Sequence, residues 1–145
     1  MASDRQFCTF TLAGQLFGVD ALAVQEIIRS QAMTRVPLAP AAVCGLMNLR
    51  GQIVTAIDLR RRLDLPDRPP EVPPVNVVVH TDDGAVSLLV DELGDVLAVS
   101  EDVYERPPET LRGPARGLIR GAYKLGGRLL TVLDIARAVD VRRPD

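Results

Sequence analysis

Short apolar runs rich in Val, Ile, Leu and Thr, broken at close intervals by turn residues, dominate the chain and predict strands, with helices minor. Phe7, Thr9 and Thr11 alternate with Cys8, Phe10 and Leu12, and Ala13-Gly14 turns that strand into Gln15 to Asp20. Met47-Asn48-Leu49 and Gln52 to Ile57 flank Arg50-Gly51 as a two-residue hairpin, and Leu125-Gly126-Gly127-Arg128 has the same turn chemistry. Val75 to Thr81 and Ala85 to Val90 flank Asp82-Asp83-Gly84 as a third hairpin. Helical patterns are confined to Leu59 to Leu63 and Ile135 to Val139, each preceded by an aspartate, Asp58 or Asp134, suited to capping the free helix N–H groups.

The pattern repeats. Gly51-Gln52-Ile53-Val54-Thr55-Ala56-Ile57-Asp58-Leu59 and Gly127-Arg128-Leu129-Leu130-Thr131-Val132-Leu133-Asp134-Ile135 share Gly, Thr and Asp in register, 76 positions apart. Val19-Asp20-Ala21-Leu22 echoes Val90-Asp91-Glu92-Leu93 at 71 positions, which suggests an internal duplication with about five residues gained in the later half. The prolines of Leu65 to Pro74 favour a stiff, extended path and mark a linker. A second Pro-rich loop, Arg106-Pro107-Pro108-Glu109, precedes the last two strands. About five strands per half suit two small barrels, residues 6–65 and 75–140 around a linker at 66–74, sharing a buried interface and unfolding together within a single domain over 6–140.

Composition narrows the function. With 47% hydrophobic residues in 145, the chain can bury a large core, and 17 basic against 19 acidic residues give no positive field for nucleic acid. No apolar stretch reaches the roughly 20 residues that span a bilayer, and the first residues carry no export signal, so a soluble protein without membrane insertion is expected. Cys8 and Cys44 lack metal-ligand spacing and read as small core residues, and the single histidine, His80, lies in a strand pattern rather than a catalytic relay. No glycine-rich phosphate loop follows a strand, and no cofactor is expected. Asp58 and Asp134 invite a small duplicated aspartic hydrolase as an alternative. Leu59-Arg60 and Ile135-Ala136 follow them, however, not an Asp-Thr/Ser-Gly loop, and this favours capping. Arg60-Arg61-Arg62 and Arg142-Arg143 read as solvated surface.

Some residues are not duplicated. Arg50 occupies a hairpin position filled by Gly126 in the later half, and Glu26 falls on Leu97 at the 71-residue spacing, so an Arg50 to Glu26 ion pair belonging to one half is conceivable. Val24-Gln25-Glu26-Ile27, Gly45-Leu46-Met47-Asn48-Leu49-Arg50-Gly51-Gln52-Ile53, Ile57-Asp58-Leu59, Val90-Asp91 and Asp95-Val96-Leu97 together resemble the CheW family of bacterial chemotaxis coupling proteins. The resemblance runs from about Gln6 to Val139.

It implies a mainly β fold of two intertwined five-stranded SH3-like barrels and a non-enzymatic adaptor. Such an adaptor joins the cytoplasmic helical hairpin of chemoreceptors to the regulatory domain of a CheA-type histidine kinase, in the cytoplasm at membrane-associated arrays. By position, the resemblance assigns Val24, Glu26, Arg50, Val86 and Leu93 to the receptor side, and Gly45 and Ile53 to the kinase side. Ser87, where some relatives carry Gly, and the small Ala21 imply a different groove depth. The same domain also serves chemosensory pathways for surface motility or biofilm formation, an alternative that these residues do not separate.

Overall fold

The computed structural model describes residues 4–29, 31–105 and 117–140; Arg106 to Glu109 and Arg142-Arg143 lie outside them. Before the linker run β1 (Asp4–Leu12), β2 (Gln15–Asp20), β3 (Val24–Ile28), β4 (Val43–Leu49), β5 (Gln52–Asp58) and the short helix α1 (Leu59–Arg62). After it run β6 (Val75–Thr81), β7 (Gly84–Val90), β8 (Glu92–Ser100), β9 (Tyr104–Glu105), β10 (Ile119–Leu125), β11 (Arg128–Leu133) and the helix α2 (Ile135–Ala138). The hairpin turns fall at the predicted residues. Ala13, Gly14, Arg50, Gly51 and Gly127 all take positive φ, the conformation that two-residue turns between twisted strands require.

The strands form two sheets, ordered β3-β6-β7-β5-β4 and β8-β1-β2-β11-β10-β9. These do not correspond to the two chain halves, so the expected division into 6–65 and 75–140 is corrected. Each half gives its first hairpin to the other's sheet, β6–β7 joining β5 and β1–β2 joining β11 through parallel pairings. A turn fixes only a hairpin's own two strands, and the parallel partner lies far along the chain, so local patterning is blind to the exchange. We call the first sheet and its flanking segments lobe 1 and the second lobe 2. In lobe 1 the chain leaving β3 reaches the opposite edge, where Thr34 and Leu46 exchange backbone hydrogen bonds of 2.9 and 2.8 Å. In lobe 2 the chain leaving β8 returns as β9 to pair with β10. Both sheets therefore curl until the chain from one edge meets the other.

Alternation along these strands fills three apolar clusters. Phe10, Leu12, Phe17 and Val19 of lobe 2 meet Ile57, Val77, Val79, Leu88 and Val90 of lobe 1 in the largest, which is the interface between lobes. The opposite faces supply each lobe's own core: Met47, Val54, Val78 and Leu89 in lobe 1, and Phe7, Val99, Tyr123 and Leu130 in lobe 2. β6 and β7 are thus buried on both faces. Ser87 lies wholly buried on the lobe 1 core side and donates to Asn76 Oδ1 at 2.9 Å, so its side chain does not set the depth of an interlobe groove.

Tyr123 brings a hydroxyl into the lobe 2 core. Its ring packs 5.3 Å from both Phe7 and Tyr104, and its hydroxyl donates to Glu101 at 2.8 Å. Burial, reinforced by that carboxylate, pushes the phenol up from 10.0 to about 12. A phenol held neutral by the fold adds stability that is complete below its unfolded pKa and disappears as pH rises through the folded one, here between about 10 and 12. Ultraviolet titration is expected to show one of the chain's two tyrosines resisting ionisation until about 12, and Tyr123→Phe to abolish that late step.

The strand registers also date the repeat differently. Val24 lies opposite Val79 as Leu93 lies opposite Phe10, and Ile27 opposite Val77 as Val96 lies opposite Cys8. The front of the repeat is therefore offset by 69 positions, not 71, and seven residues separate it from the 76-residue offset of the later hairpins. Glu26 consequently corresponds to Asp95 rather than Leu97. The shared Val-Asp-x-Leu is not a structural equivalence: Asp20 accepts from Leu22 N, whereas Asp91 accepts from Ala13 N.

Candidate functional site

β3 and β4 are the two edges of the lobe 1 sheet, and a charge pair spans them. Arg50, at φ 53° in the β4–β5 turn, donates through Nη1 to Glu26 Oε2 at 2.6 Å and through Nη2 to Oε1 at 2.8 Å. Asn48 Oδ1 steadies the turn by accepting from Gly51 N at 2.9 Å. The guanidinium holds the Glu26 carboxyl below its usual range. A fork-to-fork pair this open to water adds little stability, and its value is geometric: it fixes a planar charged surface at an exposed hairpin tip. The equivalent hairpin position in lobe 2 is Gly126, and so the pair belongs to lobe 1 alone.

Val24, Val79 and Val86 form one row across lobe 1, and Leu93, Phe10 and Phe17 form the equivalent row across lobe 2. Both rows face the shared core; Val79, Phe10 and Phe17 are buried in it, and Val24 and Val86 are half-buried against it. Leu93 is exposed at the end of its row. Three of the five residues assigned to a receptor surface therefore stand on two symmetry-related rows flanking one apolar seam. The remaining two are the ion pair.

Gly45 and Ile53 differ in kind. Ile53 is 61% exposed near the hairpin tip, whereas Gly45 is buried where any Cβ would come within 2.6 Å of the Thr34 carbonyl oxygen. Gly45 allows the Thr34 bridge to close over β4, and its influence on a partner is indirect.

Asp58 and Asp134 are caps. Asp58 Oδ1 accepts from Arg60 N at 2.9 Å and Asp134 Oδ1 from Arg137 N at 3.2 Å, each serving its own helix. His80 is exposed at the end of β6. Cys8 is buried and Cys44 half-buried, and burial pushes both thiols up, away from the reactive thiolate. Among the described residues no group of three or more His, Cys, Asp or Glu could hold a metal, and no helix is long and apolar enough to cross a membrane.

The arginine triplet overturns its expected reading as solvated surface. Arg60 is buried and donates through Nε to Asp91 at 3.0 Å and through Nη1 to the Pro66 carbonyl at 3.0 Å. Arg68, from the linker, joins the same carboxylate at 2.9 Å and lies 3.6 Å from Asp58. Arg62 reaches across the lobes to the Ala138, Arg137 and Asp140 carbonyls at 2.8–2.9 Å, capping the end of α2. Only Arg61 stays exposed, paired with Asp67 at 3.1 Å. A run of three arginines signals charge; which of them are buried depends on Asp91, about thirty positions away.

Comparison with known proteins identifies the family and the fold. A family model described as the CheW-like domain matches residues 6–143. Chemotaxis protein CheW of Treponema pallidum (strain Nichols) is 33% identical over 139 residues, covering 92% of this chain and 82% of its own. The Bacillus subtilis (strain 168) protein of that name is 32% identical over 131 residues, covering 90% and 84%. The crystal structure of the scaffolding protein TtCheW from Thermoanaerobacter tengcongensis has the same fold, with a TM-score of 0.86 over 96% of this chain and 94% of that one at 24% identity. With the family model spanning nearly the whole length and relatives above 30% identity alongside it, the chain belongs to the CheW family, chemotaxis adaptors and scaffolds rather than enzymes.

Proposed function

We propose that this protein couples chemoreceptors to a CheA-type histidine kinase by binding both at once, in the cytoplasm beside the receptor-bearing membrane. The observation that supports this most is the fixed Arg50–Glu26 pair, a charged fork on an exposed tip of a family member. The seam between Val24, Val86 and Leu93 suits one apolar face of the receptor's helical hairpin. Ile53 supplies exposed apolar surface for the kinase's regulatory domain, on a hairpin whose shape Gly45 permits. An adaptor biases a kinase only as far as it binds the active and inactive arrangements with different free energy. Modest individual contacts gain strength when many are engaged together in an array.

Capture of the purified receptor hairpin and the kinase regulatory domain by the full chain tests this reading. Arg50→Glu is expected to weaken receptor capture by roughly tenfold, with the melting curve nearly unchanged because the pair is exposed. Adding Glu26→Arg restores the opposite-charge pair and recovers part of the loss. A wild-type chain that captures neither partner refutes the proposal.

A further inference from the structure

The chain passes from lobe 1 to lobe 2 at Asp91, between β7 and β8. Two seam residues flank this crossover, Val86 on β7 before it and Leu93 on β8 after it. Three parts of the molecule meet on the Asp91 carboxylate. Arg60 of α1 donates through Nε to both oxygens at 3.0 and 3.1 Å, and Arg68 of the linker donates to Oδ1 at 2.9 Å. Ala13 N, in the β1–β2 turn of lobe 2, donates to Oδ2 at 2.8 Å. Asp91 N donates to the Thr11 carbonyl at 3.1 Å, which ties the crossover to lobe 2 through its backbone as well. The Asp91, Arg60 and Arg68 side chains are only 8–11% exposed.

The duplication does not repeat this arrangement. At the equivalent crossover, between β2 and β3, the 69-position offset puts Leu22 in place of Asp91, and Leu22 is 94% exposed. The 76-position offset puts the exposed Ala136 of α2 in place of Arg60. Among the described residues this carboxylate tie therefore holds one crossover and not the other. The apolar cluster between the lobes draws them together without direction, whereas a carboxylate gripped from three elements fixes angle as well as distance.

We infer that Asp91 is a positioning residue for partner binding at the seam: by fixing the β7–β8 crossover to α1, the linker and the β1–β2 turn, it holds Val86 of lobe 1 and Leu93 of lobe 2 at the spacing and angle that a helical hairpin meets. The inference rests on the adaptor reading above and adds to it the residue that sets the seam's shape. The buried carboxylate does not itself reach a partner; it acts through the orientation of one lobe against the other, which packed layers can change by small sliding or hinge movements. Surface that belongs to one lobe, such as Ile53, does not depend on it. Arg62, which ties α1 to the end of α2, and the shared apolar cluster keep the lobes together when Asp91 is lost, so the angle between them is what changes.

The test uses the full chain in two variant forms. Asp91→Asn keeps the side chain's shape without its charge; a triple variant, Arg60→Met with Arg68→Met and Asp91→Leu, removes all three charges so that none is left buried and unpaired. Residual dipolar couplings of the backbone N–H groups report the orientation of one lobe against the other. In the wild type a single alignment is expected to fit both lobes; in each variant it is expected to fail, although each lobe alone still fits. Capture of the receptor hairpin is expected to fall by about tenfold, with capture of the kinase regulatory domain unchanged. The triple variant decides between positioning and stability, because it is expected to melt near the wild-type temperature and still lose receptor capture. Wild-type receptor capture by the triple variant, or lobes that keep one alignment in it, overturns the inference and leaves Asp91 a stabilising residue of an intact adaptor. An equal loss of kinase capture overturns it too, because the damage is then not confined to the seam. A wild-type chain that captures neither partner removes the adaptor reading and this inference with it.

Discussion

Truncating Phe10 to alanine is expected to destabilise the protein by about 3–5 kcal/mol, the range for removing a fully buried aromatic ring. Phe10 is wholly buried where the two sheets meet, with Phe17 6.5 Å away in near-parallel orientation, and it lies in the row that opposes Leu93. Its loss opens a cavity lined by residues from both lobes, so neither lobe retains its stability alone. Urea unfolding followed separately by far-ultraviolet circular dichroism and by Tyr123 absorbance is expected to show one transition in the wild type. In the Phe10→Ala variant that transition moves to lower urea as a unit. Against a typical total of about 5–15 kcal/mol, a loss of that size removes from about a fifth to nearly all of the margin. Two separated transitions would show that the shared cluster does not unite the lobes.

The second large effect is electrostatic. Asp91→Ala leaves Arg60 and Arg68 buried without their shared counter-charge, and removing one member of a buried ion pair costs about 3–5 kcal/mol. Substituting all three residues with apolar side chains of similar length is expected to recover much of that loss, because the charges then no longer need burial. The effect depends on pH in a definite direction. Burial alone would raise the Asp91 carboxyl, but donation from Arg60, Ala13 and Arg68 outweighs it and holds the group below its usual 3.8. A carboxylate with a lowered folded pKa contributes fully above the unfolded value, and its contribution fades as pH falls through the folded one. The stability gap between wild type and Asp91→Asn is therefore expected to be widest at neutral pH and to narrow below about pH 4. A gap of the same size at pH 3 would assign the effect to packing.

How much was legible in the sequence follows from how far each interaction reaches. Hairpins are local, and Arg50-Gly51 and Gly126-Gly127 announced theirs through residues that accept positive φ. Caps are local too: Asp58 and Asp134 needed only the helices that follow them. Of the Arg50–Glu26 pair only Arg50 was marked out by the duplication, through its uncharged counterpart Gly126; the strand registers move the counterpart of Glu26 from Leu97 to Asp95, itself acidic. The exchange of hairpins between halves was implied by the resemblance, as intertwined barrels, but hidden from the local pattern, because β5–β7 and β2–β11 are parallel pairings that no turn encodes. Arg60 and Arg62 were misread for a related reason: their neighbours in sequence are arginines, while their partners are Asp91 and the end of α2.

The traded hairpins also govern how the protein comes into being on the ribosome. β1 and β2 emerge first, yet their sheet neighbours β8 and β11 are among the last strands made, so Phe7, Phe10 and Phe17 stay unshielded for most of translation. Assembly waits on pairings of very long sequence separation, which slows it. A chain severed within the proline-rich strap yields two pieces, each missing a hairpin that only the other can lend, so the pieces fold by finding one another.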